Sequence, residues 1–234
     1  MQAKTKLYDT RYDGKKRFIS YWYQAREVMN EAPSKILEVG IGNGFLSNYL
    51  QRNGYRITTV DIDEGLDPDH VASVLALPFQ TNAFDVVACC EVLEHLPYDK
   101  VEVALEELCR VAKRTVVISV PDAREVVRIR LPLLGTKLVP LPKLASNSSG
   151  CGGEHRWEVG KKGYPLRRVT ESIQRAGFAI EKQYRIPENP YHRMFVLSTY
   201  SWKEAITDSC CTASRGMTTC TLRDSQHGIL ATAC

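Results

Sequence analysis

The sequence predicts a doubly wound α/β domain built on a mostly parallel sheet. Three observations carry this. Short β-branched segments alternate with amphipathic ones at the spacing of βαβ units. A glycine-rich stretch, Gly40-Ile41-Gly42-Asn43-Gly44, joins the first predicted strand to the helix after it, and the second predicted strand ends on an acid, Asp61.

The elements follow in order. Lys15 to Glu31 contains no Pro or Gly and is rich in aromatics, which predicts an amphipathic helix ended by Pro33. Lys35–Gly40 is a short apolar strand. Phe45–Asn53 is a helix closed by Gly54, a residue type favoured just past a helix end. Tyr55–Asp61, Val71–Leu75 and Ala83–Cys90 are further strands, and Tyr98–Ala112 is a helix with Val101, Leu105 and Leu108 on one face. Thr115–Val120 is the fifth strand, stopped by Pro121. The alternation then breaks over residues 122–163, an insertion read as a lid. It resumes with a helix at Leu166–Ala176 and strands at Phe178–Ile186 and Arg193–Thr199. The predicted organisation is an N-terminal helical segment (1–33), a domain (34–200) and a weakly ordered tail (201–234). The tail holds ten Ser/Thr and four of the eight cysteines.

Composition narrows the function classes. With 234 residues, 44% hydrophobic and 25% charged, the chain is neither fully disordered nor a fibre. No stretch approaches the roughly 18 apolar residues of a membrane span. The balance of 31 Lys+Arg against 27 Asp+Glu neither requires nor excludes nucleic acid. Met1 to Lys6 lacks a following apolar segment, so no secretory signal is read and a cytoplasmic location with free thiols is expected. The cysteines show no repeated Cys-x-x-Cys. Cys210, Cys211, Cys220 and His227 are spaced too irregularly to frame zinc strongly, and no metal is expected.

The glycine stretch is informative through its spacing. Gly40 suits a tight turn, Gly42 and Gly44 leave the backbone open to a ligand, and the next helix presents its first N–H groups there. A dinucleotide fingerprint needs its third glycine at position 45, which is Phe45, and no Gly-Lys-Ser/Thr follows to make a P-loop. Asp61 is placed to accept both hydroxyl protons of a ribose.

The motifs EVGIGNG, VDID, LALPF and FDVVACCEVLEHLP, followed by a late Gly-Phe-strand-strand unit, resemble the class I S-adenosylmethionine-dependent methyltransferases, in particular their small type 11 group. The likeness covers about residues 15–199 and implies a seven-stranded, Rossmann-like sheet with S-adenosyl-L-methionine as the methyl donor. It implies that Gly40, Gly42 and Gly44 lie under the methionine part, with Glu38 near its amino group. Asp61 would bind the ribose and Ile62 would pack on the adenine. Ser73 stands where the family often has an acid facing the adenine amino group, and Val74 offers a backbone partner instead. Cys90 and Glu91 would lie beside the reacting methyl. Apolar residues such as Ile62 and Val74 can equally be core.

The acceptor is read by elimination. Cys89-Cys90-Glu91-Val92 lacks the Asp/Asn-Pro-Pro-Tyr of base amino-methylation, and Asn189-Pro190-Tyr191 lies elsewhere. Neither Cys89 nor Cys90 follows a proline, as a pyrimidine-attacking cysteine often does. A small-molecule or lipid-linked acceptor remains, with oxygen favoured over nitrogen as the methylated atom, and no nucleic acid is expected. In the lid, Leu131, Leu133, Leu134, Leu138, Val139, Leu141 and Leu144 would form an apolar cover, rimmed by Arg124, Arg128, Arg130, Lys137 and Lys143. Such a cover suits an apolar acceptor or peripheral membrane contact. His155 is the candidate general base, with Glu91 and His95 as further catalytic candidates; Glu94 and His95 could also be packing residues. Tyr21 and Trp22 could offer the sulfonium an aromatic face. The alternatives are an RNA or other nucleic-acid methyltransferase, a non-catalytic donor-binding regulator and an NAD-dependent enzyme.

Overall fold

A computed structural model describes residues 12–131, 135–140 and 155–200. The helices are α1 (Lys15–Asn30), α2 (Phe45–Arg52), α3 (Val101–Val111) and α4 (Leu166–Arg175). The strands are β1 (Ile36–Val39), β2 (Ile57–Asp61), β3 (His70–Val71), β4 (Phe84–Cys90), β5 (Ala112–Pro121), β6 (Val126–Leu131), β7 (Gly135–Pro140), β8 (Phe178–Arg185) and β9 (His192–Thr199). Seven strands form one sheet in the order β3-β2-β1-β4-β5-β9-β8, parallel except for β9, which runs against both its neighbours. The expected doubly wound, Rossmann-like sheet is present.

Strand periodicity divides the core into two layers. Adjacent residues of a strand point to opposite faces. Thus Val86 and Ala88 of β4 join a cluster with Ala25, Val28, Leu46 and Leu50 of α1 and α2. Val87 and Cys89 join the other face with Leu105 and Leu108 of α3 and Val169 and Ile173 of α4. Helix α3 buries Val101, Ala104, Leu105, Leu108 and Val111, a stripe at intervals of three and four. β1 is covered on both faces and all four of its residues are buried, as a central parallel strand requires.

The boundaries shift slightly from those predicted. The third strand is only His70–Val71, the first turn of the predicted Tyr98–Ala112 helix is 3-10, and β5 runs on through Pro121 to pair with His192. Val126–Leu131 and Gly135–Pro140 form a separate antiparallel pair, β6 with β7. The lid leucines other than Leu138 and Leu131, together with Lys143 and the tail, lie outside the described residues; of the side chains of Leu131, Leu138, Arg128, Arg130 and Lys137 nothing is described.

Arg124, read from sequence as a charge at the lid's rim, has a partner in the sheet. It pairs with Asp122, a buried carboxylate at the end of β5, at 2.6 Å. Arg193 Nε meets the same carboxylate at 2.8 Å and Arg185 Nε at 3.8 Å. Burial acts to raise the Asp122 carboxyl, but the hydrogen bonds from Arg124 and Arg193 and the charge of Arg185 hold it below its ordinary value. This network anchors the point where the chain leaves the sheet, because the Val159 N–H donates to Pro121 O and the Ala123 N–H donates to Val159 O. Removing the carboxylate strands buried guanidiniums, so Asp122→Ala is expected to cost about 3–5 kcal/mol in urea unfolding; a change below 1 kcal/mol would contradict this account.

Candidate active site

The sheet order reverses between β1 and β4: the chain runs from β1 outward to β2 and β3, then returns to the other side of β1. Neighbouring loops diverge at such a point and leave a crevice at the carboxyl ends of the strands. A cavity of about 330 Å³ lies there, walled by the segments after β1, β2 and β4.

Asp61 ties two of these segments together. Its Oδ2 accepts the Ile41 N–H and its Oδ1 the Asp63 N–H, both at 2.9 Å. The carboxylate therefore shapes the glycine loop and still faces the cavity. Gly40 is required twice over. Its φ is +80°, and an added Cβ would come within 2.2 Å of Val92 Cγ2.

Glu38, Gly40, Gly42, Asp61, Ile62, Ser73, Val74, Cys90, Glu91 and His95 all line the cavity. Two predicted site residues do not. Gly44 begins α2 with φ +74° instead of bordering the cavity, and His155 stands off the wall. The start of α2 is also less open than expected, because Asn43 Oδ1 accepts the Phe45 N–H at 3.0 Å. Ile62 is not core: it is 75% exposed at the rim, whereas Val74 is buried in the wall.

The N-terminal segment adds Tyr12, Arg17, Tyr21 and Gln24 to the wall. Tyr21 stacks on Phe45 at 4.6 Å between ring centroids. Trp22 is exposed and lies under Arg26, so it does not reach the site. Sequence reasoning missed Tyr12 and Arg17, at the start of the aromatic-rich α1, and Gln24, a buried polar residue in its second half.

Charge is unevenly balanced here. Glu38 is buried and its Oε2 has no hydrogen-bond partner in the protein. Burial pushes its carboxyl up to about 8 against the opposing hydrogen bonds of Ser47. Cys90 is pushed up by burial despite a hydrogen bond to Ser119, and Cys89 by burial as well, so neither is an activated nucleophile.

Glu91 has φ +55°, unusual for a residue with a Cβ. Its N–H donates to Ser119 O at 2.9 Å, its Oε1 accepts the Ser119 hydroxyl at 2.7 Å, and its Oε2 lies 3.5 Å from His192 Nε2. Glu94 is wholly buried, and burial followed by the charge of Glu91 raises its carboxyl well above the usual range. His155 Nδ1 is 3.2 Å from Glu158 Oε1, which also accepts the Tyr191 hydroxyl at 3.0 Å. His192 and Tyr191 arrive from the antiparallel edge, and no local motif marks them.

Residues 37–120 match a family model described as a methyltransferase domain. The ubiquinone biosynthesis O-methyltransferase of Psychrobacter arcticus is 29% identical over an alignment of 97 positions that covers 34% of this chain and 38% of that protein. The chain therefore spans well under half the length of this relative. The solved structure of the PH0226 protein from Pyrococcus horikoshii OT3 superposes with a TM-score of 0.57 at 14% identity, covering 85% of this chain and 96% of that one. Magnesium protoporphyrin IX methyltransferase from Synechocystis PCC 6803, solved with bound S-adenosylhomocysteine, gives a TM-score of 0.55 at 14% identity, over 83% of this chain and 90% of that one. At these identities, the structures share the fold.

Two predictions follow from the loop and its neighbour. Gly40→Ala is expected to lose at least about 1–2 kcal/mol from the left-handed backbone alone, with Val92→Ala relieving only the additional clash; thermal or urea unfolding reads both. For Glu38, the folded state holds a proton up to about pH 8 while an ordinary carboxyl releases it near 4.5. The folded state thus binds more protons in that window, and stability falls as pH rises through it. Glu38→Gln should flatten this part of the unfolding profile, and identical profiles for the two proteins would refute the assignment.

Proposed function

We propose that the chain is a class I, S-adenosylmethionine-dependent methyltransferase that methylates a hydroxyl of a small-molecule or lipid-linked acceptor; residues 37–120 match a family model described as a methyltransferase domain. The observation that carries the proposal is the pairing of Asp61 and Glu38 across one cavity at the sheet's reversal point.

The residues fit the donor. The unpartnered buried Oε2 of Glu38 suits its ammonium group, since an orphaned carboxylate oxygen calls for a cation or a proton. Each Asp61 oxygen accepts one backbone N–H and keeps acceptor capacity for a ribose hydroxyl. Exposed Ile62 beside Asp61 offers an apolar face to the adenine, and the Ser73–Val74 backbone borders the same end. When bound, S-adenosylmethionine supplies a methyl group already activated on a sulfonium.

The protein must then align the acceptor, exclude water and take a proton. Glu91 is the proton-accepting residue we assign. It is on the wall, and Ser119 and His192 hold its carboxylate in place. His155, the residue favoured by sequence, stands off the cavity wall, with Nε2 4.0 Å from Glu94 and its ring 5.2 Å from that of His95. The likeness of the central domain to ubiquinone biosynthesis O-methyltransferases supports oxygen as the acceptor atom. A hydrophobic acceptor is supported by Val127 and Ile129 on β6 and Val139 on β7: Val127 pairs directly with Val139, and all three are exposed.

Calorimetry is expected to show S-adenosylhomocysteine binding to the wild type and binding about 10–100-fold weaker for Asp61→Ala, the loss of charged hydrogen bonds. Glu91→Gln should keep that affinity and lose transfer of labelled methyl to a hydroxylated acceptor in a small-molecule screen. No heat with either the donor or its demethylated product would overturn the proposal.

A further inference from the structure

We infer that Glu94, His95 and His155 form a binding site for a divalent first-row transition cation beside the donor cavity. One ligand atom from each lies within 4.8 Å of the others. The site is built by two segments far apart in sequence. Glu94 and His95 belong to the 3-10 turn Leu93–His95 after β4, and His155 to the stretch returning to the sheet. Three hydrogen bonds bind these segments: Arg156 N–H to Glu94 O at 2.8 Å, Arg156 Nε to His95 O at 3.1 Å, and the Trp157 indole N–H to Leu93 O at 3.0 Å. The convergence is therefore fixed by a backbone hydrogen bond and a wholly buried tryptophan, with the Arg156 side chain adding a third tie.

Glu94 supplies the independent sign of a ligand. It is fully buried, and both of its carboxylate oxygens lack a hydrogen-bond partner. Its nearest ion-pair contact is His155 Nε2 at 4.0 Å, too long for a hydrogen bond. Within 4.0 Å, the ion-pair partners of Glu91, Glu94 and Glu158 among the described residues are histidines, with no lysine or arginine. A cation between the carboxylate and the two rings would satisfy what the protein leaves unsatisfied.

The surroundings also prepare His155 as a ligand. Its Nδ1 lies 3.2 Å from Glu158 Oε1, and the Tyr191 hydroxyl holds that carboxylate at 3.0 Å. A proton on Nδ1 shared with Glu158 leaves the Nε2 lone pair on the side of Glu94. Metal-ligating histidines are commonly oriented by such a carboxylate. Two imidazoles and one carboxylate suit Mn²⁺, Co²⁺, Fe²⁺ or Zn²⁺ better than Mg²⁺ or Ca²⁺, which prefer all-oxygen shells. Three protein ligands leave coordination positions open, the pattern of a working site, not a purely structural one. His95 also lines the cavity, so those positions face the space where an acceptor would sit. On the methyl-transfer reading, the acceptor class is then one that presents its hydroxyl next to a second oxygen, so that both can reach the cation.

Mn²⁺ is the probe of choice for the full chain, because thiols compete for it less than for Zn²⁺. Protein stripped with a chelator and titrated with Mn²⁺, read by calorimetry and electron paramagnetic resonance without any donor, is expected to take up one equivalent. Glu94→Gln and His155→Ala should each weaken binding about 100-fold or more. Glu158→Gln should weaken it about 10–100-fold, the range for an orienting partner. Mg²⁺ should bind at least tenfold more weakly than Mn²⁺. S-adenosylhomocysteine affinity, measured on the same samples, reports folding and the donor site separately. Failure of wild type to bind Mn²⁺, or unchanged binding in both Glu94→Gln and His155→Ala, overturns the cation site while leaving the donor reading standing. Mn²⁺ binding without S-adenosylhomocysteine binding does the reverse.

Discussion

The carboxylate of Asp61 sits where the end of β2 meets the loop after β1, and much of the site's geometry is referred to it. By accepting the Ile41 and Asp63 N–H groups, it closes two loops around one anion. Both loops leave adjacent parallel strands, so their amides diverge unless something between them accepts both. The left-handed turn at Gly40 is the backbone consequence on one side, with Val92 packed where a side chain would stand. On the other side, exposed Ile62 follows because Asp63 must turn its N–H back toward Asp61. The sheet's reversal provides the crevice, and Asp61 sets its shape.

Buried carboxylates elsewhere in the domain are treated in contrasting ways, and the contrast separates scaffold from site. Asp122 is surrounded by Arg124, Arg185 and Arg193, and its charge is matched inside the protein. Glu27 is likewise held by Arg26 and Lys182. Glu38 and Glu94 are as deeply buried, yet retain oxygens with no partner. Burying a carboxylate without compensation costs several kcal/mol, so a fold retains it where a ligand completes it. Glu38 lines the crevice, and Glu94 adjoins its wall residue His95. The matched carboxylates hold strands and helices together instead.

Much of the site was legible because its parts lie in one strand-loop-helix unit or at strand ends. The glycine spacing, the terminal acid Asp61 and the run from Cys90 to His95 each fall within a few residues, and their positions follow from local backbone rules. Side-chain fate was less legible. Ile62 reads as core by composition, but it stands at the rim because the loop, not a strand, sets its direction. Tyr21 and Trp22 are neighbours on α1, and the roughly 100° step between successive helix residues sends Tyr21 to the wall and Trp22 to the surface. Arg124 reads as a lid charge until Asp122 claims it.

Sequence alone determined the alternation of strands and helices, the class of sheet and the glycine loop and terminal acid that meet at its reversal point, because periodicity and turn chemistry act over a few residues. Tertiary structure decided which titratable groups meet. His155 reaches Glu94 and His95 only because Trp157 is buried under Leu93, and His192 reaches Glu91 only because β9 runs antiparallel beside β5. Such meetings depend on packing between segments tens of residues apart, which no local pattern encodes.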